Sequence, residues 1–319
     1  MKLQVFHRAA RKIEHMHTQN AALRNKDLFL AIFVILVWGV NFAVIKVGVA
    51  DVPPLQLAAL RFMLAAFPAL LFFRAPKVPL RLYVIYGLTI SVGQFSLLFS
   101  AIHVGMPTGL ASLVLQSQAV FTMLFAAFFL KERWHANQLA GLMLAAVGLV
   151  LIGSAHGLSM PLAGFMLTVA AAVMWASGNI VTRAVGRYGP MNQLAFVVWA
   201  SLVPPIPLLL LSAWLEGPSA IANALQHFSW HAFAAVAYLA WAATLFGYGV
   251  WTGLLARYPA NRVAPFTLLV PLVGLTTGWV AFGEALKPVH FAGGALLMAG
   301  LLLNLFGARL FVRLKWQSQ

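Results

Sequence analysis

Hydrophobic residues along the chain form long runs of about 20 residues. A run of that length crosses the roughly 30 Å of membrane hydrocarbon as an α-helix, since each helical residue rises about 1.5 Å. The polar breaks between runs are typical of loops, as in "DVPP" at 51–54, "GMPTG" at 105–109 and "RYGP" at 187–190. The pattern predicts an all-α membrane protein with ten transmembrane helices, near 28–49, 55–73, 82–102, 108–130, 136–154, 162–182, 193–214, 231–254, 263–282 and 289–308.

Composition and charge agree with this pattern. Of the 319 residues, 62% are hydrophobic and 8% are charged, whereas soluble domains contain about 25% charged residues. If both termini are cytoplasmic, cytoplasmic segments hold all but three of the 21 Lys and Arg residues, the exceptions being Lys46, Arg61 and Lys287. Basic residues concentrate in cytoplasmic loops of membrane proteins. The net charge of +15 therefore reflects membrane orientation, and we expect no nucleic-acid partner.

Two stretches of the chain are related at an offset of 152 residues: "ERWHANQLAGLMLAAVG" at 132–148 and "EALKPVHFAGGALLMAG" at 284–300. Earlier, "WGVNFAVIK" at 38–46 matches "WASGNIVTR" at 175–183 at an offset of 137. The copies lie five helices apart, an odd number, so the second copy enters the membrane in the opposite direction. This predicts a five-plus-five inverted repeat, which is typical of transporters with a midplane binding site.

The predicted organisation has four parts: a basic cytoplasmic segment at 1–26, a first five-helix repeat at 27–154, a second at 161–308, and a basic cytoplasmic tail at 309–319. The N-terminal segment has no apolar core of the kind that a cleaved signal peptide needs. It presents Leu3, Phe6, Ala10 and Ile13 on one face, which favours an interfacial helix. Met16 is an alternative start to Met1.

Between residues 27 and 308 the chain resembles the drug/metabolite transporter superfamily, in its EamA-type branch. The resemblance rests on "WGVNFAVIKVG" at 38–48, "ALRF" at 59–62, "GMPTGLASLVLQSQAVFT" at 105–122 and the paired "ER" and "GEAL" segments. It implies a ten-helix fold in the bacterial inner membrane and efflux of small amino-acid metabolites such as O-acetylserine and cysteine. The alternative is a broad-specificity exporter of aromatic amino acids or xenobiotics with a tryptophan-rich lining.

Several polar and aromatic residues fall inside the predicted helices, where polar groups usually face the bundle interior or a watery cavity. Trp38 and Asn41 share a face of the first helix, and Trp175 and Asn179 share a face of the sixth. We expect a central substrate cavity lined by these residues; the alternative is hydrogen bonding and packing between helices. The other candidate lining residues are Gln94, Gln116, Gln118, Tyr248, Trp251 and Arg61.

Three of these candidates leave an alternative open. Gln116 and Gln118 are two residues apart on a helix and point in nearly opposite directions. One is expected to face the cavity and the other to bond between helices; their spacing does not decide which. Arg61 either holds a substrate carboxylate or has a structural role, capping carbonyls or pairing with Asp51. Lys46 is expected to extend its ammonium group to the membrane surface.

A second set of residues is expected to be structural. Glu132 and Glu284 each precede a helix, where a carboxylate accepts hydrogen bonds from backbone N–H groups and is favoured by the helix dipole. The small residues of the fifth and tenth helices permit close helix contact. That contact joins either these two helices or two protomers of a homodimer, and involves Gly141, Gly148, Gly293 and Gly300.

The alternative from another functional class is an intramembrane enzyme, which needs a nucleophile with a base, or metal ligands, at one depth. The sequence contains no HExxH, GxSxG or paired acidic motif, and it contains no cysteine. We therefore expect no catalytic residues, no metal and no cofactor. The expected partners are a small-molecule substrate and the lipid bilayer. The absence of an acidic residue from the middle of any predicted span favours downhill or exchange transport.

Overall fold

The computed structural model describes residues 23–132, 136–155, 160–226, 228–258 and 260–317. Within these ranges the chain is helical and contains no strand. Nine of the described helices are long and apolar enough to cross a membrane: α1 (Asn25–Asp51), α2 (Pro54–Leu71), α3 (Leu80–His103), α4 (Thr108–Leu130), α5 (Asn137–Ser154), α6 (Leu162–Gly186), α7 (Gln193–Leu215), α8 (Trp230–Arg257) and α9 (Ala264–Phe282). The all-α membrane fold that the hydrophobic pattern predicts is therefore confirmed.

A tenth apolar helix, α10, occupies the position of the last predicted span. It runs from Pro288 to Gln317, and its shorter apolar part is Pro288–Asn304. A short helix at Pro218–Gln226 connects α7 to α8. The predicted N-terminal interfacial helix and Met16 lie outside the described residues.

The first helix begins earlier than the hydrophobic run predicts. It starts at Asn25, so Asp27 lies in its first turn and is fully buried. The Asp27 carboxylate accepts hydrogen bonds from Arg257 Nη1 at 2.6 Å, Tyr258 Oη at 2.7 Å and Arg24 Nε at 3.1 Å. A carboxylate is favoured at the positive end of a helix. Asp27 thus ties the start of α1 to the end of α8.

Contacts between helices follow the two repeats. α1 packs against α8 and α9, while α6 packs against α3 and α4; α2 contacts α7, and α5 contacts α10. The sequence offsets relate α1 to α6, α3 to α8, α4 to α9 and α5 to α10. Each of these contacts therefore either has a counterpart from the other repeat or joins two equivalent helices. The halves interlock instead of folding as separate bundles.

The repeats also share their irregular segments. α3 contains a π-helical stretch at Gly87–Gln94, and α8 contains one at Tyr238–Phe246. α4 tightens into a 3₁₀ turn at Leu115–Ser117, and α9 does so at Ala264–Leu269. At the offset of 152 each pair overlaps. Such interruptions of the α-helical hydrogen-bond ladder are frequent at functional sites.

The closest helix contact lies between α5 and α10, at the glycines that the sequence singles out. A Cβ atom at Gly141 would lie 2.6 Å from the carbonyl oxygen of Gly300. One at Gly148 would lie 2.5 Å from the carbonyl oxygen of Gly293. Only glycine fits such an approach of two backbones. Of the two alternatives, the structure therefore shows the contact between α5 and α10 of one chain.

Candidate functional site

An aromatic cluster joins α1 to α8. The ring centroid of Trp38 lies 5.6 Å from that of Tyr248 and 5.3 Å from that of Trp251. Trp38 Nε1 donates a hydrogen bond of 3.0 Å to the carbonyl oxygen of Ala243, inside the π-helical stretch of α8. The cluster thus brings three of the predicted cavity residues together, and the indole donor of Trp38 is satisfied by backbone.

Arg61 lies beside this stretch in the interior of the bundle, with only 3% of its surface exposed. Its Nε and Nη2 atoms donate hydrogen bonds of 3.2 and 3.0 Å to Thr244 Oγ1. Its guanidinium carbon lies 3.9 Å from the ring centroid of Phe95. Asp51 instead accepts a hydrogen bond from Ser229. The suggested Arg61–Asp51 pair is therefore wrong.

Two buried polar atoms in this region have no hydrogen-bond partner in the described part of the chain. One is Nη1 of Arg61, and the other is Oδ1 of Asn41. Asn41 follows Trp38 by three residues on α1 and is 8% exposed. Gln94, which ends the π-helical stretch of α3, is also buried. The first repeat thus contains a buried acceptor on α1 and a buried donor on α2 that have no hydrogen-bond partner among the described residues.

The remaining amides, on α4 and α6, hydrogen-bond to neighbouring helices. Asn179 Nδ2 on α6 donates to Gln118 Oε1 at 2.8 Å and to Thr122 Oγ1 at 3.0 Å on α4. Gln116 Nε2 donates to the carbonyl oxygen of Thr267 on α9 at 3.1 Å. The two glutamines therefore contact different helices, in keeping with their helical spacing. Trp175 packs against the hydrophobic core apart from the aromatic cluster.

Two open cavities lie elsewhere. One, of about 300 Å³, is bounded by apolar side chains of α4, α9 and α10. The other, of about 390 Å³, lies between the α2–α3 and α6–α7 connections and includes Arg74 and Lys77. Neither is lined by the candidate residues. In the described residues no group of three His, Cys, Asp or Glu side chains is placed to hold a metal ion.

An ion pair joins the two repeats at one end of the bundle. Lys46 Nζ on α1 lies 2.9 Å from Glu284 Oε1, between α9 and α10. Glu284 also accepts hydrogen bonds from Thr108 N at 2.9 Å, Thr108 Oγ1 at 3.0 Å and Gly109 N at 3.1 Å. It therefore caps α4, and not the α10 helix that follows it. Lys46 is paired here and lies over the Phe282 ring, so its ammonium group has a protein partner; that it also reaches the membrane surface stays a prediction.

The same contacts set the ionisation of Glu284. Burial by itself raises the pKa of its carboxyl group. Hydrogen bonds from Lys46 and from the backbone of Thr108 and Gly109 lower the pKa, and together they outweigh the effect of burial. The net pKa of Glu284 lies below the ordinary glutamate value. The carboxylate is thus held in its charged form.

A second ion pair stands at the repeat-equivalent positions. Arg183 corresponds to Lys46 and Glu132 to Glu284, and Arg183 Nη1 lies 2.8 Å from Glu132 Oε1. This pair is about half exposed, whereas the Glu284 side chain is only 10% exposed. The sequence predicts both glutamates as helix caps and does not identify their basic partners. The available signal was the recurrence of a base and an acid at equivalent positions.

Comparison with known proteins places this architecture among transporters. A family model described as the EamA-like transporter family matches twice, over residues 25–154 and 162–306. A protein of Salmonella typhimurium named "Probable amino-acid metabolite efflux pump" is 51% identical over 290 residues, which cover 90% of this chain and 97% of that protein. A protein of the same name from Escherichia coli is 48% identical with the same coverage.

A more distant sequence relative and a solved structure also match this chain. A Streptantibioticus cattleyicolor protein named "Probable terminal-alkyne amino-acid exporter" is 29% identical over 289 residues, covering 88% of this chain and 93% of that protein. A solved crystal structure with 20% sequence identity shares the fold at a TM-score of 0.58, covering 88% of this chain and 96% of that one. Because the family model accounts for most of the chain in two copies, and close relatives match it along nearly its full length, this protein is a member of the EamA-like transporter family.

Proposed function

We propose that this protein exports small amino-acid metabolites, of the O-acetylserine and cysteine class, across the bacterial inner membrane. The observation that carries the proposal is 51% identity, along 90% of the chain, to a protein named as an amino-acid metabolite efflux pump. α10 serves as the tenth span, which puts both termini in the cytoplasm. In that arrangement Lys46 and Glu284 lie at the outer end and Arg183 and Glu132 at the cytoplasmic end.

The proposed substrate site lies between α1, α2, α3 and α8. It is built from the Trp38, Tyr248 and Trp251 cluster together with Asn41 and Arg61. Gln94, Gln116, Gln118, Trp175 and Asn179 complete the proposed lining from both repeats. Amide groups supply both donors and acceptors, and so suit the ammonium and carboxylate of a zwitterion.

Alternating access is supported by an asymmetry in how α4 crosses α9. Near the Lys46 end the two helices are in close contact: a Cβ atom at Gly109 would lie 2.9 Å from Leu275 Cα, and one at Gly278 would lie 2.8 Å from Thr108 Oγ1. The equivalent crossing at the other end, between 118–130 and 264–269, has no comparable contact among the described residues. With the proposed orientation this arrangement corresponds to an outward-closed state, and exchange of the conformations of the two repeats would give an inward-closed state.

The aromatic cluster favours one second candidate, an exporter of aromatic amino acids or xenobiotics with broad specificity. Tryptophan and tyrosine faces attract ammonium groups and stack on apolar rings. The relatives carry the names of transporters, and we propose no catalytic activity. The two transport proposals differ in which solutes exchange across the membrane.

Counterflow in proteoliposomes tests the function. Vesicles loaded with unlabelled O-acetylserine or cysteine are expected to accumulate the same radiolabelled solute, and empty vesicles serve as the control. Faster exchange of phenylalanine and tryptophan would select the broad-specificity alternative. If no amino-acid metabolite exchanged, or if the purified protein consumed its substrate in detergent, the proposed function would be wrong.

Labelling of single cysteines tests the orientation, because the natural chain contains no cysteine. Ser219, before α8, and Tyr188, between α6 and α7, are both exposed. Ser219→Cys is expected to react with a membrane-impermeant maleimide on intact spheroplasts, while Tyr188→Cys reacts only after lysis. The reverse pattern would place the termini outside.

A further inference from the structure

Arg61 carries a buried positive charge that the described protein does not neutralise. The chain has six acidic residues, of which five are described, and each of the five has a partner other than Arg61. Asp27 and Glu284 bind basic groups, as does Glu132; Asp51 binds Ser229, and Glu216 accepts from the backbone N of Leu55. A cation buried in the membrane interior is costly unless an anion or a polar network offsets it.

The hydrogen bonds of Arg61 leave one edge of its guanidinium group available. Thr244 Oγ1 accepts from Nε and Nη2, and its own proton is donated to the carbonyl oxygen of Leu239 at 2.8 Å. Thr244 therefore acts only as an acceptor towards Arg61, and it uses the side edge. The end edge, formed by Nη1 and the second proton of Nη2, faces away from Thr244, and Nη1 is buried with no hydrogen-bond partner among the described residues. That edge presents two parallel N–H donors, which fit the two oxygens of a carboxylate.

The guanidinium group is also held in place before any ligand binds. Its carbon lies 3.9 Å from the Phe95 ring centroid, so stacking on α3 and hydrogen bonding to α8 both restrain it. Thr244 directly follows Ala243, whose carbonyl oxygen accepts from the indole of Trp38. Arg61 is thereby anchored on the same π-helical stretch as the aromatic cluster.

We propose that Arg61 binds the carboxylate of an α-amino-acid solute through its Nη1–Nη2 edge and sets the preference of the transporter for carboxylate-bearing solutes. Asn41 Oδ1, another of the buried atoms that have no hydrogen-bond partner in the described part of the chain, is an acceptor and suits the ammonium group of the same solute. The two unsatisfied atoms have the polarities that a zwitterion complements. This inference rests on the proposed function, and it adds a residue that sets specificity.

Cysteine and cysteamine separate this role from a structural one, since cysteamine has the same thiol and ammonium groups without the carboxylate. Purified protein in detergent is heated with each compound, and protection against aggregation is measured over a concentration series. For the wild type we expect cysteine to protect at concentrations about tenfold or more below those of cysteamine, the factor that a hydrogen bond to a charged group supplies. For Arg61→Gln we expect the two compounds to differ by less than about twofold.

Arg183→Gln is the matched control, because it removes an arginine that the proposed site does not use, and it is expected to keep the wild-type preference. Size-exclusion chromatography establishes that each variant is folded. If Arg61→Gln does not fold, Arg61→Lys decides, since a lysine keeps the charge but not the two-donor edge. A reduced preference supports the proposal, and an unchanged one overturns it.

Two failures are distinguishable. A wild-type protein that neither binds nor exchanges any amino-acid metabolite contradicts the proposed function. A wild-type protein that exchanges cysteine but does not prefer it to cysteamine contradicts only the role of Arg61. The same holds if folded Arg61→Gln discriminates as well as the wild type.

Discussion

The ammonium group of Lys46 lies 2.9 Å from the carboxylate of Glu284 and so joins the first helix of one repeat to the α9–α10 connection of the other. Arg183 and Glu132 form the same connection with the repeats exchanged. The Lys46–Glu284 pair, whose carboxylate is mostly buried, lies where α4 and α9 are in close contact, and the more exposed Arg183–Glu132 pair lies at the other end. The solvent exposure of each ion pair thus depends on how closely the helices around it are packed.

Glu284→Ala is expected to destabilise the protein more than Glu132→Ala. Glu284 bonds to the backbone of α4 and to Lys46, so its loss removes a helix cap and a charged hydrogen bond, worth about 1–3 kcal/mol. The Glu132 pair is about half exposed, and exposed pairs are worth about 0–1 kcal/mol. Tryptophan fluorescence during heating measures both. A loss for Glu284→Ala no larger than that for Glu132→Ala would contradict the stronger stabilisation expected from the Glu284 contacts.

The stabilisation by Glu284 is expected to depend on pH. Its pKa lies below the ordinary value in the folded protein, and a carboxyl group of that kind stabilises the fold above its unfolded pKa, about 4.3. This contribution is lost as the pH falls through the lower folded value. The melting temperature of the wild type should therefore fall more steeply below about pH 4.3 than that of Glu284→Gln. Parallel curves for the two proteins would exclude this role.

The α5–α10 contact predicts a sharp difference between two glycine substitutions. Gly148→Leu places a side chain against the backbone of α10, where a Cβ atom alone would lie 2.5 Å from Gly293 O. Gly186→Leu is the control, since no atom lies within 4 Å of a Cβ built there. We expect the first to lower the yield of folded protein severalfold, in line with a destabilisation of about 2 kcal/mol or more, and the second to leave it unchanged. Comparable yields from both variants would contradict the close contact.

Asn41→Ala and Asn179→Ala are expected to differ in what they disturb. Asn41 Oδ1 has no partner among the described residues, so Asn41→Ala should lower counterflow while the melting temperature stays near the wild-type value. Asn179 links α6 to Gln118 and Thr122, so Asn179→Ala should also destabilise the protein, by about 0.6–2 kcal/mol. Transport per folded molecule is the measurement. An Asn41→Ala variant with full transport would remove Asn41 from the proposed site.

How much of this protein is predictable from sequence depends on whether the property is local. The spans follow from runs of apolar residues, because the transfer of a helix into hydrocarbon depends mainly on the composition of that helix. The repeat follows from recurring residues, of which Glu132 and Glu284 are the clearest. The hydrophobic run does not indicate that the first turn of α1 contains Asp27, because that carboxylate is paired with Arg257, a residue of a distant helix.

The partners of the polar residues were decided by tertiary structure alone. Lys46 and Glu284 are 238 residues apart in sequence, and Arg61 and Thr244 are 183 apart. No helical period connects residues so distant, and each pairing arises because the two repeats interlock. Sequence by itself determined which segments enter the membrane and which residues are polar there. Only the packing of one repeat against the other decided which of those polar groups are satisfied by protein and which, like Nη1 of Arg61, are not.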